Sequence, residues 1–162
     1  MIGRIAVKKL LDYVFDYIDE IKPERYVNGN IITYNPKERY AKKSVVNLNK
    51  YGNLDFCRFT VNNLPAKSGV YALYEDDILI YIGRAKNLSI RWGKMNYGSI
   101  SPKNCYVGGQ STNCKVNNYI YGAAKSGKKL ELYIYVTQNY IQVEKQLLSA
   151  YANHLKLNNQ KT

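Results

Sequence analysis

Cysteine and histidine are scarce in this chain: Cys57, Cys105 and Cys114 lack any paired CxxC spacing, and His154 is the single histidine. An odd, scattered set of thiols supports neither a disulfide framework nor a zinc site, so the expectation is free cysteines in a reducing cytoplasm. No apolar run approaches the roughly 20 residues of a membrane span, so no membrane is expected as a partner. The N-terminal stretch alternates apolar and charged positions and builds no signal-peptide core, which predicts no export. With 162 residues there is no room for two large domains, and a hydrophobic fraction of 46% argues against disorder.

Acidic residues are the other scarcity. Lysine and arginine number 24 against 12 Asp and Glu, a formal net charge of +12. From Ile78 to Leu130 there is no acid at all, while Arg84, Lys86, Arg91, Lys94, Lys103, Lys115, Lys125, Lys128 and Lys129 all fall there. Basic side chains are almost never buried unpaired, so this segment makes a positive surface that attracts polyanions. Seventeen tyrosines accompany the charge, and their hydroxyls can donate to phosphate oxygens. An acidic lipid surface is the competing partner; without a basic amphipathic helix, nucleic acid is preferred.

Along the chain, Val7, Leu10, Leu11, Val14, Ile18 and Ile21 follow the rhythm of an amphipathic helix over Ile5–Ile21, read as a packing or dimerisation helix. Asn28-Gly29 signals a hairpin. The cluster Lys37, Arg39, Lys42 and Lys43, with Tyr34 and Tyr40 interleaved, is either a DNA contact or a solvated loop. A linker from Asn49 to Leu64 places a boundary near Asn53, giving an extension over 1–52 and a domain over 53–162. Two apolar runs joined by Glu75-Asp76-Asp77 form a hairpin, and Leu88, Trp92 and Met95 mark a helix of two to three turns behind it. A long loop over Tyr97–Gln110 precedes a helix capped by Ser111 or Thr112 and ended by Ser126-Gly127. Leu130–Val136 alternates with a period of two and reads as a third strand, and a last helix runs from Ile141 to Leu155.

Register decides whether Tyr71 and Tyr81 can act together. A three-residue loop Glu75-Asp76-Asp77 pairs them directly on one face, and this is the expected geometry. A two-residue turn would put them on opposite faces. A phenol, with a pKa near 10, needs a nearby cation or metal to serve as a base at neutral pH. Arg91 and Arg84 are the arginines that follow the hairpin. After Asp77 the only acids are Glu131 and Glu144, and a helical projection places Glu144 near the centre of the stripe Ile141, Leu148, Tyr151 and Leu155. A carboxylate there needs a partner: a bridge to Arg91, or a divalent ion such as Mg²⁺, which keeps much of its water.

Gly69-Val70-Tyr71, Tyr81-Ile82-Gly83 and Arg91, followed by a helix bearing Glu144 and a terminal Asn158, resemble the signature of the GIY-YIG nucleases from about Leu64 to Asn159. Within that superfamily, IYIGRAKNL over Ile80–Leu88 looks like excinuclease C and the phage endonuclease II group. The segment Ser111–Tyr133 looks more like phage endonuclease II and the GIY-YIG restriction enzymes. The family ending Pro-x-x-Asn is here Leu155-Lys156-Leu157-Asn158. The resemblance implies an α+β fold with a small three-stranded antiparallel sheet flanked by helices, here extended by an N-terminal helix and hairpin. It implies Mg²⁺-dependent hydrolysis of phosphodiester bonds in double-stranded DNA, Mn²⁺ substituting, of restriction or phage type and through a homodimer or larger assembly. A non-cleaving DNA-binding module and a single-strand or repair-type incision nuclease are the alternatives. Carried onto this chain, Tyr71 is the general base with Tyr81 beside it, Arg91 stabilises the phosphoryl transition state and Glu144 binds the metal. Arg84, Lys86, Lys94, Lys115 and Asn158 hold DNA or its phosphates.

Overall fold

The structure, a computed structural model, describes residues 6–160. In chain order the elements are β1 (Val7–Leu10), β2 (Tyr13–Glu20), β3 (Thr33–Tyr34), β4 (Phe56–Cys57), β5 (Gly69–Glu75), β6 (Ile78–Ala85), α1 (Leu88–Arg91), α2 (Ser111–Lys125), β7 (Leu130–Val136) and α3 (Tyr140–Tyr151). They fall into two compact units that alternate along the chain. The first takes the described residues up to Ile21, then Val61–Arg91, then those from Lys129 onward; the second takes Lys22–Thr60 and Trp92–Lys128. Asn53, where the sequence suggests a boundary, lies inside the second unit.

In the first unit a five-stranded antiparallel sheet runs in the order β1-β2-β7-β5-β6. This corrects the expected three-stranded sheet. β5, β6 and β7 are the strands read from the sequence, and the two additional strands come from the segment expected as the N-terminal helix. Of that segment, Ile5 lies outside the described residues. The chain reverses at Leu11-Asp12, with Leu11 at φ 52° and Leu10 paired to Tyr13. Strand wins over helix because Tyr13, Phe15 and Tyr17 recur at a period of two, and aromatic residues favour a pleated surface. Phe15 is fully buried, worth about 1.5–3 kcal/mol. The Tyr13 ring lies tilted 5.1 Å from Tyr135, and Tyr17 meets Tyr133 edge-to-face at 5.5 Å, both on the neighbouring strand.

One face of this sheet carries α3. Val70, Ala72, Tyr74, Ile82, Tyr133 and Phe15 pack there with Val143, Leu147 and Leu155. The buried stripe of α3 therefore runs through Tyr140, Val143, Leu147 and Tyr151, whereas Ile141, expected on it, is 53% exposed. Glu144 keeps its place beside the stripe, four residues from Tyr140. The helix ends at Tyr151 and a short 3₁₀ turn over Ala152–His154 follows, so Leu155 reaches the core from beyond it.

The second unit is built on α2, the small β3–β4 pair and the Tyr97–Gln110 segment. Tyr51, Phe56, Ile100, Cys105, Tyr106 and Cys114 form its core, so that segment is largely a packed one. Asn117, fully buried, ties it together: its amide accepts from the Cys57 N–H at 2.9 Å and donates to the carbonyls of Cys57 and Tyr97 at 2.8 Å. No side chain caps α2, in contrast to the expected Ser111 or Thr112 cap, while Gly127 at φ +77° follows its end. The helix behind the hairpin is likewise shorter than expected. It is the single turn α1, started by the Asn87 side chain accepting from the Ile90 N–H. The three cysteines are free and buried. Among the described residues no helix is long and apolar enough to cross a membrane.

Candidate active site

The β5–β6 turn has two residues. Asp76 (φ 47°) and Asp77 (φ 69°) both adopt left-handed conformations, and Glu75 pairs with Ile78. This is the geometry of a type I′ hairpin, which matches the right-handed twist of the strands, and it replaces the expected three-residue loop. The Asp76 carboxylate accepts the Lys129 N–H at 2.8 Å, and Asp77 pairs with Lys8. By itself an even turn would send Tyr71 and Tyr81 to opposite faces. The register shifts between Leu73 and Tyr74, however, and leaves Ile80 as an extra residue in β6. A bulge of one residue reverses the parity of everything beyond it.

The consequence is that Tyr71 pairs with Gly83 and Tyr81 with Leu73. The tyrosines are diagonal neighbours on one face, not directly opposed, with ring centroids 5.9 Å apart and planes at 47°. Both are buried, at 2% and 6% exposure. A Cβ on Gly83 would fall well inside 3.0 Å of Tyr71 Cζ and the Tyr71 hydroxyl. The phenol thus lies across the space that glycine leaves empty. Gly69 is constrained similarly: a Cβ there would stand 2.5 Å from the Tyr135 carbonyl oxygen and 2.9 Å from Leu88 Cδ1. Gly83→Ala is therefore expected to displace the Tyr71 ring and to destabilise the fold by about 1–3 kcal/mol, as overpacked cores do. Urea denaturation checks this. The penalty should largely vanish in a Tyr71→Leu background, where the ring is absent.

Arg84, the next residue, alternates to the face that carries α3. Its Nη1 lies 3.4 Å from Glu144 Oε1. The arginine is 45% exposed and the glutamate 17%. Burial pushes the Glu144 carboxyl above its ordinary range, and the Arg84 charge draws it partly back. A carboxyl raised by folding contributes stability that is complete below its unfolded pKa and lost as pH rises through its folded pKa. Glu144→Gln removes that loss and leaves Arg84 solvated. The variant should melt above the wild type at neutral pH, and the two should converge as pH falls toward 4, measured by thermal denaturation across pH.

β6 is the sheet edge, and Asn158 covers it. Its side-chain oxygen accepts the Ile82 N–H at 2.8 Å and its nitrogen donates to the Ile82 carbonyl at 2.8 Å. Beside it the Leu157 N–H donates to the Ile80 carbonyl at the bulge, 3.0 Å away. Asn158 thus braces the strand that carries Gly83 and Arg84. Asn158→Ala should lower stability by about 1–3 kcal/mol and speed amide exchange at Ile82.

The remaining candidates are more scattered. Arg91 is the last residue of α1 and is partly buried; Lys86 is exposed. Lys94 and Lys115 belong to the second unit. Lys94 is exposed, but Lys115 is only 5% exposed, so it is no surface cation. Burial, with Lys50 nearby, pulls its ammonium below the ordinary range. The bulge at Ile80 and the seat of Tyr71 on Gly83 escaped sequence reasoning. Only the tight glycine in Tyr81-Ile82-Gly83 hinted at the second, since glycine in a strand marks a close approach.

Fold and site together define an α+β protein whose β5–β6 hairpin carries two buried tyrosines on one face and, on the other, an arginine paired with Glu144 of α3. Comparison with protein-family models, with curated proteins and with solved structures gives no match.

Proposed function

We propose that the chain is a divalent-metal-dependent endonuclease of the GIY-YIG type that hydrolyses phosphodiester bonds in double-stranded DNA. One observation carries the reading. The Tyr71 hydroxyl lies over Gly83, and the Glu144–Arg84 pair meets the very next residue of the same edge strand. Tyr71 and the Arg84–Glu144 pair thereby meet consecutive residues of β6, about 3.8 Å apart along the backbone, from opposite faces of the sheet.

The donor set fits a hydrated cation. Among the described residues no group of three or more His, Cys, Asp or Glu side chains gathers to make a dedicated cage. Glu144 would be the protein carboxylate, with water and phosphate oxygens completing the shell, as suits Mg²⁺ or Mn²⁺. Its raised carboxyl is the state expected of a ligand that gains from a positive neighbour. When bound, such an ion neutralises phosphate charge and acidifies a water. Arg84 holds a non-bridging phosphate oxygen, and Arg91 stabilises charge as the phosphorus becomes five-coordinate. Tyr71, as its phenolate, takes a proton from the attacking water, whose oxygen bonds to phosphorus as the P–O3′ bond breaks. The leaving 3′ oxygen takes a proton from a solvent water, and the phosphate stays on the 5′ side.

Cutting both strands with one such centre calls for a homodimer or larger assembly. A restriction or phage role suits duplex cleavage. A second reading, a DNA-binding module that does not cut, draws on the opposite faces occupied by the tyrosines and by Glu144. Duplex, single-stranded and branched DNA incubated with the protein in Mg²⁺ or Mn²⁺ separate the readings. Duplex cleavage supports the first, cleavage of single-stranded or branched substrates alone points to repair-type incision, and binding without incision supports the second.

A further inference from the structure

The charge of the chain is unevenly shared. The second unit, Lys22–Thr60 with Trp92–Lys128, holds thirteen lysines and arginines against Glu24, Glu38 and Asp55, leaving eleven bases against nine acids for the rest of the sequence. Of those three acids, Glu38 is paired with Lys43 at 3.2 Å. Within this unit a cavity of about 270 Å³ is lined by Arg25, Gly29, Asn30, Ile31, Tyr121 and Lys125. Two cations, an amide and a phenol face it, and no carboxylate lines it. Neither Arg25 nor Lys125 enters an ion pair among the described residues. The space corresponds to roughly nine water volumes, enough for a phosphodiester group.

The pocket sits at the foot of a well-fixed turn. Arg25 bridges Ile31, the Tyr26 N–H donates to the Asn30 carbonyl at 2.8 Å, and the Gly29 N–H donates to the Tyr26 carbonyl at 2.9 Å. Gly29 at φ +90° closes the turn, and the Asn28 side chain accepts the Asn30 N–H. Arg25 Nη1 donates to the Gly29 carbonyl at 2.7 Å, which aims the guanidinium from the turn itself. At the tip, Tyr26 is 57% exposed and Val27 fully so. Lys125 stands 5.8 Å over the Tyr121 ring.

We infer that this pocket clamps a backbone phosphate of DNA and that the Tyr26-Val27 tip rests against base edges in the adjoining groove. The inference rests on the DNA reading of the site above and assigns its grip to the second unit. Two cations on phosphates fix position and release counterions, whereas an uncharged tip contributes contact without a salt-dependent component.

The test is binding of a fluorescent duplex by anisotropy against NaCl concentration, without divalent metal so that nothing is cut. Arg25→Ala/Lys125→Ala should bind about ten- to a hundred-fold more weakly, with the log–log salt slope shallower by about one. Tyr26→Ser/Val27→Ser should weaken binding with the slope unchanged. Because Arg25 also supports its turn, Lys125→Glu is the second variant; its exposed side chain lies over the Tyr121 ring, and it should show the shallower slope at an unchanged melting temperature. Wild-type affinity and slope in the charge variants, or no duplex binding by the wild type, would overturn the inference. Wild-type binding that depends on Arg25 and Lys125, with no cleavage after metal is added, would instead overturn the nuclease reading and leave the clamp standing.

Discussion

Glu144→Gln should abolish cleavage while leaving a folded, DNA-binding protein that is more stable than the wild type at neutral pH. The substitution keeps the volume of the side chain beside Val143 and Leu147 and removes the charge that burial disfavours. A metal ligand is worth several kcal/mol of transition-state stabilisation, and each 1.36 kcal/mol is tenfold in rate, so a loss of about 10³-fold or more is expected. Gaining stability while losing activity is the signature of a residue kept for chemistry. A bridge to Arg84 that served only the fold would give the reverse pattern, with activity kept and stability lost. Cleavage rates and melting curves on one preparation distinguish the two.

The second large effect is expected at Tyr71. Tyr71→Phe retains the ring that fills the space over Gly83 and deletes only the hydroxyl, so the β5–β6 packing should survive. Proton transfer by a positioned side chain contributes about 10²–10⁴-fold, and the variant should lose that much in rate with duplex affinity unchanged. Tyr81→Phe tests the neighbour. Its ring stands diagonal to Tyr71 at 5.9 Å and it pairs with Leu73, two residues further from Gly83 and Arg84 along the strand. A smaller loss is expected there; a larger one would transfer the role of base to Tyr81.

The strands β5, β6 and β7 were legible because their period-two pattern is flanked by Glu75-Asp76-Asp77 and Gly127, both strong turn chemistry. The N-terminal hairpin was not. Val7, Leu10, Leu11, Val14 and Ile18 satisfy a helical spacing, the reversal at Leu11-Asp12 lacks the usual glycine or asparagine, and only the alternation Tyr13, Phe15, Tyr17 speaks for strand. Missing that hairpin turned a sheet of five strands into one of three. The register was half legible. Tyr71 and Tyr81 do share a face, but an even turn and a bulge at Ile80 achieve it, and a bulge inside a continuous apolar run has no local sequence signal.

Glu144 was legible for a physical reason: acids are so rare after Asp77 that a carboxylate beside the apolar stripe of a helix stands out. Its arginine partner, Arg84, was less so, because a salt bridge across a sheet face depends on the parity that the bulge resets. Lys115 shows the opposite limit. Among basic neighbours it reads as a surface cation, yet on α2 it lies on the packed side with Cys114 and Val116 also buried. Charge patterning locates a positive surface; it does not say which lysines form it.

The most direct test is the reaction itself: supercoiled plasmid incubated with the wild-type protein in Mg²⁺, with EDTA as the control, and the product ends tested for ligation without prior phosphorylation. The proposed site predicts Mg²⁺-dependent conversion to nicked and linear plasmid whose ends carry a 5′-phosphate beside a 3′-hydroxyl. Plasmid that stays supercoiled in Mg²⁺ and in Mn²⁺, at protein concentrations where it is demonstrably bound, would contradict it.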